Sequence, residues 1–175
     1  MSFFSLDSNF AITFNALIWK RMSWEIQKSP QESGYAQYVC LTLAQKGVKD
    51  KYEANEITYV GHSAGARMGA TLTAMQPGLV TNAVLVGGGY ETKPELKSHG
   101  AISFADVMNK ADKQTKYIMV YGSADKISPP ENTTVMYDKM KSAGFDVTLV
   151  EAKGKAHLDL EMTDASVDAI GSLFE

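Results

Sequence analysis

From residue 31 to its end, the chain alternates short, continuous apolar runs with stretches of helical periodicity. The apolar runs predict strands at 57–60, 82–86, 116–121 and 146–151, and the periodic stretches predict helices at 32–46, 63–75, 102–111, 130–142 and 163–174. Apolar runs without strict alternation are typical of parallel strands that helices cover on both faces. The sequence therefore predicts an α/β fold, a three-layer sandwich with a mostly parallel sheet, as a single domain over residues 1–175.

The first 30 residues do not continue this alternation, and we treat 1–30 as an atypical N-terminal segment. Residues 10–19 are mostly apolar, but a membrane-spanning helix needs about 20 such residues. We therefore expect a core element, with binding to a membrane surface as the alternative. Either 10–14 form a strand that replaces a missing central strand, or 10–24 form a helix that packs where strands are absent. A shortened sheet would leave an apolar edge, so we expect a homodimer or higher oligomer.

Composition excludes several classes of function. The net charge is −3 with no long run of one sign, whereas a nucleic-acid partner requires a concentrated basic surface. The single cysteine, Cys40, excludes an intramolecular disulfide and fits a reducing, cytoplasmic location. The three histidines lack the spacing of a metal site, and Gly87-Gly88-Gly89 lacks the spacing of a dinucleotide site. We therefore expect no metal and no cofactor.

The pentapeptide Gly61-His62-Ser63-Ala64-Gly65 lies between a predicted strand and a predicted helix. A serine in this pattern and context is typical of a nucleophile elbow. The glycines are needed because side chains at these positions would collide with neighbouring backbone. The turn places the Ala64 N–H at a helix N-terminus, where it can stabilise an oxyanion. His62 is also a candidate for this oxyanion and substrate-binding region, although we expect its ring to point away and support the elbow.

Two further candidate catalytic residues follow strands that are predicted later in the chain. Asp125 lies in the loop after the third of these predicted strands, where a carboxylate can accept the Nδ1 proton of a histidine. Alternatively, Asp125 only organises the turn before Pro129 and Pro130. His157 follows the fourth of these strands and suits a general base at neutral pH. The order serine, acid, histidine at the ends of successive strands favours a triad of Ser63, Asp125 and His157.

The glycine run after the strand at 82–86 predicts a close approach of backbone to this site. We assign Gly88 and Tyr90 to the substrate-binding region, with Tyr90 near the rim of the pocket. The stretch between the second and third of these strands leaves room only for a small cap, at 91–111. An open site of this kind favours short-chain or soluble substrates.

These motifs resemble those of the α/β-hydrolase superfamily, from about residue 31 to the end of the chain. The matching segments are GHSAG at 61–65, YGSADKISPP at 121–130 and GKAHLDL at 154–160. They look most similar to the esterase and lipase branch, including small carboxylesterases and arylformamidase-like enzymes. The resemblance implies that Ser63 is the nucleophile, Asp125 the acid and His157 the base.

The sequence departs from this family before the elbow. The N-terminal part is shorter than is usual, so we expect a minimal or N-terminally truncated α/β-hydrolase fold. The family's HG or HGGG-type loop, which supplies a second oxyanion donor, is missing, because no histidine precedes His62 and Gly34 is the first glycine. A substitute donor from residues 5–9 is our expectation.

The sequence therefore predicts a serine hydrolase that cleaves carboxylic ester bonds of small or short-chain substrates through an acyl-enzyme. A thioesterase, a formamidase or a peptidase would use the same three residues, so these classes remain open. A non-catalytic, truncated scaffold that acts as a binding module is the other alternative. It is motivated by the missing loop, since losing one oxyanion donor costs about 10²–10³ in rate.

Overall fold

Five parallel strands form one sheet in a computed structural model of the chain, which describes residues 9–14, 46–47, 49–51, 53–91, 102–162 and 164–173. The strands are β1 (Asn9–Phe14), β2 (Glu56–His62), β3 (Asn82–Val86), β4 (Lys116–Gly122) and β5 (Val147–Ala152), and they pair in sequence order. Each strand runs parallel to its neighbours, so all five end at the same edge of the sheet. We call this the carboxyl edge.

Helices cover both faces of the sheet. They are α1 (Ala64–Met75), α2 (Phe104–Val107), α3 (Pro130–Ser142) and α4 (Asp164–Gly171), with 3-10 helices at Met108–Lys110 and His157–Met162. The first three pack with one apolar cluster on one face, whereas Ala169 of α4 packs with a second cluster on the other. The predicted three-layer α/β sandwich is thus confirmed. Within the described part of the chain, no helix has the length and apolar character needed to cross a membrane.

Most predicted elements agree with the structure. The strand at 82–86 and the helix at 130–142 have the predicted bounds, and the other three strands differ by one or two residues at their ends. The helices predicted at 102–111 and 163–174 are shorter than expected. Residues 10–14 are in a strand, so the helical alternative is wrong over that range. Residues 32–45 of the helix predicted at 32–46, including Cys40, lie outside the described residues, and so does Thr163, the first residue of the helix predicted at 163–174.

The contact between α1 and β2 is unusually close, and a glycine permits it. A Cβ atom on Gly69 would lie 2.0 Å from Cε1 of Tyr59. The Tyr59 ring has no room to move, since its side chain is only 1% exposed and its hydroxyl donates to the carbonyl oxygen of Gly65 at 2.7 Å. The absence of a side chain at Gly69 therefore sets how near the helix approaches the sheet.

We predict that Gly69→Ala lowers the free energy of unfolding by about 1–3 kcal/mol, because the added methyl group overpacks the Tyr59 ring. Urea unfolding followed by circular dichroism measures this. The matched control is Gly171→Ala at the exposed end of α4, where an added Cβ meets nothing within 4 Å. That control should change stability by no more than about 0.5 kcal/mol. Equal stability of both variants would contradict the packing described here.

Candidate active site

Ser63 lies on a sharp turn between β2 and α1, at the carboxyl edge. Its backbone has φ 54° and ψ −116°, a region that costs a non-glycine residue about 1–3 kcal/mol. A hydrogen bond from its N–H to the carbonyl oxygen of Val86, at 2.8 Å, holds the turn against β3. A Cβ on Gly61 would lie 2.6 Å from the Gly65 carbonyl group, so the crowding predicted for this elbow is present.

Asp125 follows β4 and is held by both of its carboxylate oxygens. Oδ1 accepts hydrogen bonds from the N–H groups of Ile127 and Ser128, each at 2.8 Å. Oδ2 lies 2.7 Å from Nδ1 of His157, and the Asp125 side chain is 0% exposed. The two roles predicted as alternatives therefore coexist, because one oxygen organises the turn while the other faces the imidazole.

His157 begins a 3-10 helix after β5 and bridges Asp125 and Ser63. Its Nε2 lies 2.8 Å from Oγ of Ser63. A carboxylate only accepts hydrogen bonds, so the partnership with Asp125 assigns a proton to Nδ1. Nε2 is then the acceptor that faces the serine hydroxyl. The structure thus brings all three residues of the predicted triad into one hydrogen-bonded chain.

Backbone hydrogen bonds tie together the two loops that carry the acid and the histidine. The N–H of Ser123 donates to the Ala152 oxygen at 3.2 Å, and the N–H of Ala124 donates to the Lys155 oxygen at 3.0 Å. The N–H of Gly154 also donates to Oγ of Ser123 at 2.8 Å. These bonds fix the loop after β5 relative to the loop after β4, which keeps His157 beside Asp125.

Ala64 is the first residue of α1 and is exposed at the carboxyl edge. The first N–H groups of a helix have no partner within the helix, so its amide is suited to an oxyanion. The expected second donor at residues 5–9 is wrong for Asn9, which pairs with Glu56 at the opposite edge of the sheet. Because β1 runs parallel to β2, its last residue, Phe14, lies beside Gly61 at the carboxyl edge, and Asn9 lies at the other end of the strand. Residues 5–8 lie outside the described residues.

The structure corrects the expected orientation of His62. Its ring does not point away from the site but packs against the His157 ring, with centroids 4.8 Å apart and planes tilted by 43°. Its Nε2 lies 2.9 Å from the backbone oxygen of His157. It therefore contacts the histidine of the triad and is not positioned as an oxyanion donor. Sequence analysis missed this contact, because no local pattern links positions 62 and 157.

The structure also corrects the placement of Tyr90, which is not at a pocket rim. The side chain is 1% exposed, and its hydroxyl has no hydrogen-bond partner among the described residues. Burial raises the pKa of this hydroxyl well above its usual range. Gly88 is buried between Tyr90 and α1, since a Cβ there would lie 2.6 Å from the Tyr90 hydroxyl and 2.9 Å from Cβ of Ala66. Both residues therefore support the site from within the core.

Two polar residues that sequence analysis missed hold the segment containing Gly88. Oγ of Ser128 donates to the Gly88 oxygen at 3.0 Å, and Oγ1 of Thr133 approaches the same oxygen at 3.5 Å. Ser128 also donates its N–H to Asp125. The usable sequence signal was the position of Ser128, three residues after a turn-forming aspartate.

The predicted cap at 91–111 is only partly within the described residues, which omit 92–101. The described part packs into the core, with Phe104 0% exposed and the N–H of Ala105 donating to the Tyr90 oxygen at 3.1 Å. Residues 102–111 therefore belong to the helical layer on the α1 face.

Comparison with known families gives an independent assignment. Residues 21–158 match the model of the family described as Serine hydrolase (FSH1). The chain belongs to the FSH1 serine hydrolase family. The matched range contains Ser63, Asp125 and His157. A comparison with curated proteins gave no match.

Solved structures of hydrolases share the fold of this FSH1-family chain. Esterase PE8 is 17% identical with a TM-score of 0.63, and the match covers 81% of this chain and 60% of PE8. A putative dienelactone hydrolase from Klebsiella pneumoniae subsp. pneumoniae is 15% identical with a TM-score of 0.64, covering 85% and 61%. An acylaminoacyl peptidase from Pyrococcus horikoshii is 14% identical with a TM-score of 0.59, covering 77% and 25%. The FSH1-family chain thus has an α/β-hydrolase fold and spans about three fifths of the length of PE8.

We predict that Tyr90→Phe leaves the free energy of unfolding unchanged or raises it by about 1 kcal/mol, because it removes a buried hydroxyl to which the described part of the chain offers no hydrogen bond. The matched control is Tyr59→Phe, which removes a buried hydroxyl that does donate, and should lower stability by about 1 kcal/mol. Thermal and urea unfolding of both variants check this pair. A Tyr90→Phe variant as destabilised as Tyr59→Phe would contradict the assignment.

Proposed function

We propose that this FSH1-family chain is a carboxylesterase that hydrolyses small or short-chain esters through an acyl-enzyme on Ser63. The observation that carries the proposal is the hydrogen-bonded chain from Asp125 through His157 to Ser63, with distances of 2.7 and 2.8 Å. A serine hydroxyl is a weak nucleophile at neutral pH, and an adjacent base that a third group orients is the usual means of activating it.

In the first step, the ester carbonyl carbon is attacked by Oγ of Ser63 while Nε2 of His157 removes the hydroxyl proton. The carboxylate of Asp125 stabilises the imidazolium that forms. The Ala64 N–H donates to the carbonyl oxygen as it becomes negative, supported by the positive end of the α1 dipole. The tetrahedral intermediate then collapses, and His157 gives its proton to the departing alcohol.

In the second step, water attacks the acyl-serine ester from the same side. His157 removes a proton from the water, the Ser63–acyl bond breaks, and Ser63 recovers its proton from His157. The products are the carboxylic acid and the free enzyme. His157 is already within hydrogen-bond distance of both Ser63 and Asp125, so neither step requires a rearrangement of the triad.

The preference for small or soluble esters is supported by the accessibility of the site. Ala64 is exposed and Ser63 is half-buried at the carboxyl edge, so a substrate can reach them from solvent. Esterase PE8 and the dienelactone hydrolase have the same fold, which makes ester chemistry compatible with this scaffold. Assembly into a homodimer or higher oligomer and a cytoplasmic location stay predictions from the sequence.

We predict that a fluorophosphonate probe labels Ser63 and that Ser63→Ala abolishes both labelling and ester turnover, because only an activated serine reacts with the probe. Mass spectrometry of the modified peptide identifies the site, and circular dichroism checks that the fold is retained. The control is Ser142→Ala, at the exposed end of α3, which should label and turn over like the wild type. Lack of labelling in the folded wild type would favour the non-catalytic binding module.

We also predict that esters are the preferred bond class. At equal acyl-chain length, kcat/KM should be higher for p-nitrophenyl esters than for the corresponding thioesters or anilides, and higher for acetyl and butyryl than for long acyl chains. The Ser63→Ala variant provides the background rate for each substrate. A higher kcat/KM on the thioester or the anilide would assign the chain to the rival thioesterase or peptidase class.

A further inference from the structure

The His62 side chain makes two contacts with His157, and neither is one of the hydrogen bonds that link Asp125, His157 and Ser63. The two rings pack with their centroids 4.8 Å apart, and Nε2 of His62 lies 2.9 Å from the backbone oxygen of His157. His62 is the last residue of β2, directly before the nucleophile. One side chain therefore links the strand that carries Ser63 to the segment that carries the base.

The contact with the backbone oxygen indicates which ring nitrogen of His62 carries a proton. A backbone carbonyl oxygen only accepts hydrogen bonds, so Nε2 of His62 must carry a proton to form this bond. A protonated Nε2 that donates to a carbonyl cannot also take a proton from Ser63. This excludes that nitrogen as an alternative general base and leaves the role to Nε2 of His157.

The triad depends on how the elbow is joined to the segment that carries His157. Backbone hydrogen bonds join the loops that carry Asp125 and His157. Between the elbow and His157, the described residues make two side-chain hydrogen bonds: from His62 to the His157 oxygen, and between Ser63 and His157. The Ser63 bond is lost when Oγ attacks the substrate, whereas the His62 bond can persist through both steps.

We propose that His62 is a positioning residue, whose Nε2–H holds the backbone of His157 so that the imidazole remains aimed at Ser63 throughout the reaction. This inference rests on the proposed function of the triad. The mechanism requires His157 to alternate between Ser63, the leaving group and water, while its backbone stays in place. A displacement of about 1 Å in a catalytic group can cost about 10²-fold in rate.

Two substitutions separate the hydrogen bond from the ring contact. The His62→Phe variant keeps an aromatic ring against His157 but removes the donor. The His62→Gln variant loses the ring, but its amide N–H lies at a similar reach to Nε2. We expect His62→Phe to lower kcat on p-nitrophenyl acetate by about 10- to 100-fold. We expect KM to be nearly unchanged, since the group acts on the base and not on the bound substrate.

His62→Gln should restore most of the lost kcat, and the rate of fluorophosphonate labelling should follow kcat in both variants. If His62 had only a structural role, both substitutions would lower the unfolding temperature, and the Gln side chain would not restore kcat. Wild-type kcat in a folded His62→Phe variant would overturn the proposal. Equal loss in the Phe and Gln variants would overturn it too, because the donor would then not be the active feature.

A measurement on the wild-type protein decides the matter if the His62→Phe variant does not fold. A long-range ¹H–¹⁵N spectrum reports which nitrogen of each histidine is protonated. A protonated Nε2 on His62 supports the proposal, and an unprotonated Nε2 overturns it. Probe labelling separates the two proposals. A wild type that does not label at Ser63 defeats both, whereas normal labelling with an unimpaired His62→Phe variant defeats this inference alone.

Discussion

The close contact between α1 and β2 is the constraint on which the site depends. The chain reverses from strand to helix within a single residue, and this is possible only because glycines at 61 and 69 leave room for backbone and for the Tyr59 ring. Ser63 is thereby held at positive φ, with its hydroxyl facing Nε2 of His157. The hydrogen bond from its N–H to the carbonyl oxygen of Val86 holds this strained residue against β3.

A second constraint is the burial of Asp125 beside His157. An isolated carboxylate is costly to bury, but this one accepts two backbone N–H bonds and faces the imidazole. The loops after β4 and β5 are joined by backbone hydrogen bonds, so Asp125 and His157 are held beside each other. Ser63 lies on the elbow after a different strand, and His62, its neighbour in the chain, bonds to the backbone oxygen of His157.

The structure agrees with the sequence where the signal in the sequence is local. The apolar runs specified parallel strands, and the spacing of glycines around Ser63 specified the turn. Predictions failed where they depended on the direction of a side chain in space. Tyr90 and His62 were both placed wrongly, because a residue number gives no information on which way a ring points once strands have twisted and loops have closed. The donor expected near Asn9 failed for a related reason, because the direction of β1 was not known.

The sequence by itself determined the class of fold and the order of most of its elements, and it predicted Ser63 as the nucleophile with Asp125 and His157 as the two residues that could serve it. These follow from hydrophobic periodicity and from short motifs, which depend on neighbouring residues. The tertiary structure decided that Ser63, Asp125 and His157 meet, that His62 contacts His157, and that the buried Tyr90 hydroxyl finds no hydrogen-bond partner in the described ranges. Those contacts join residues as many as 95 positions apart, and their distances are set by how strands pair and helices pack, which no local pattern encodes.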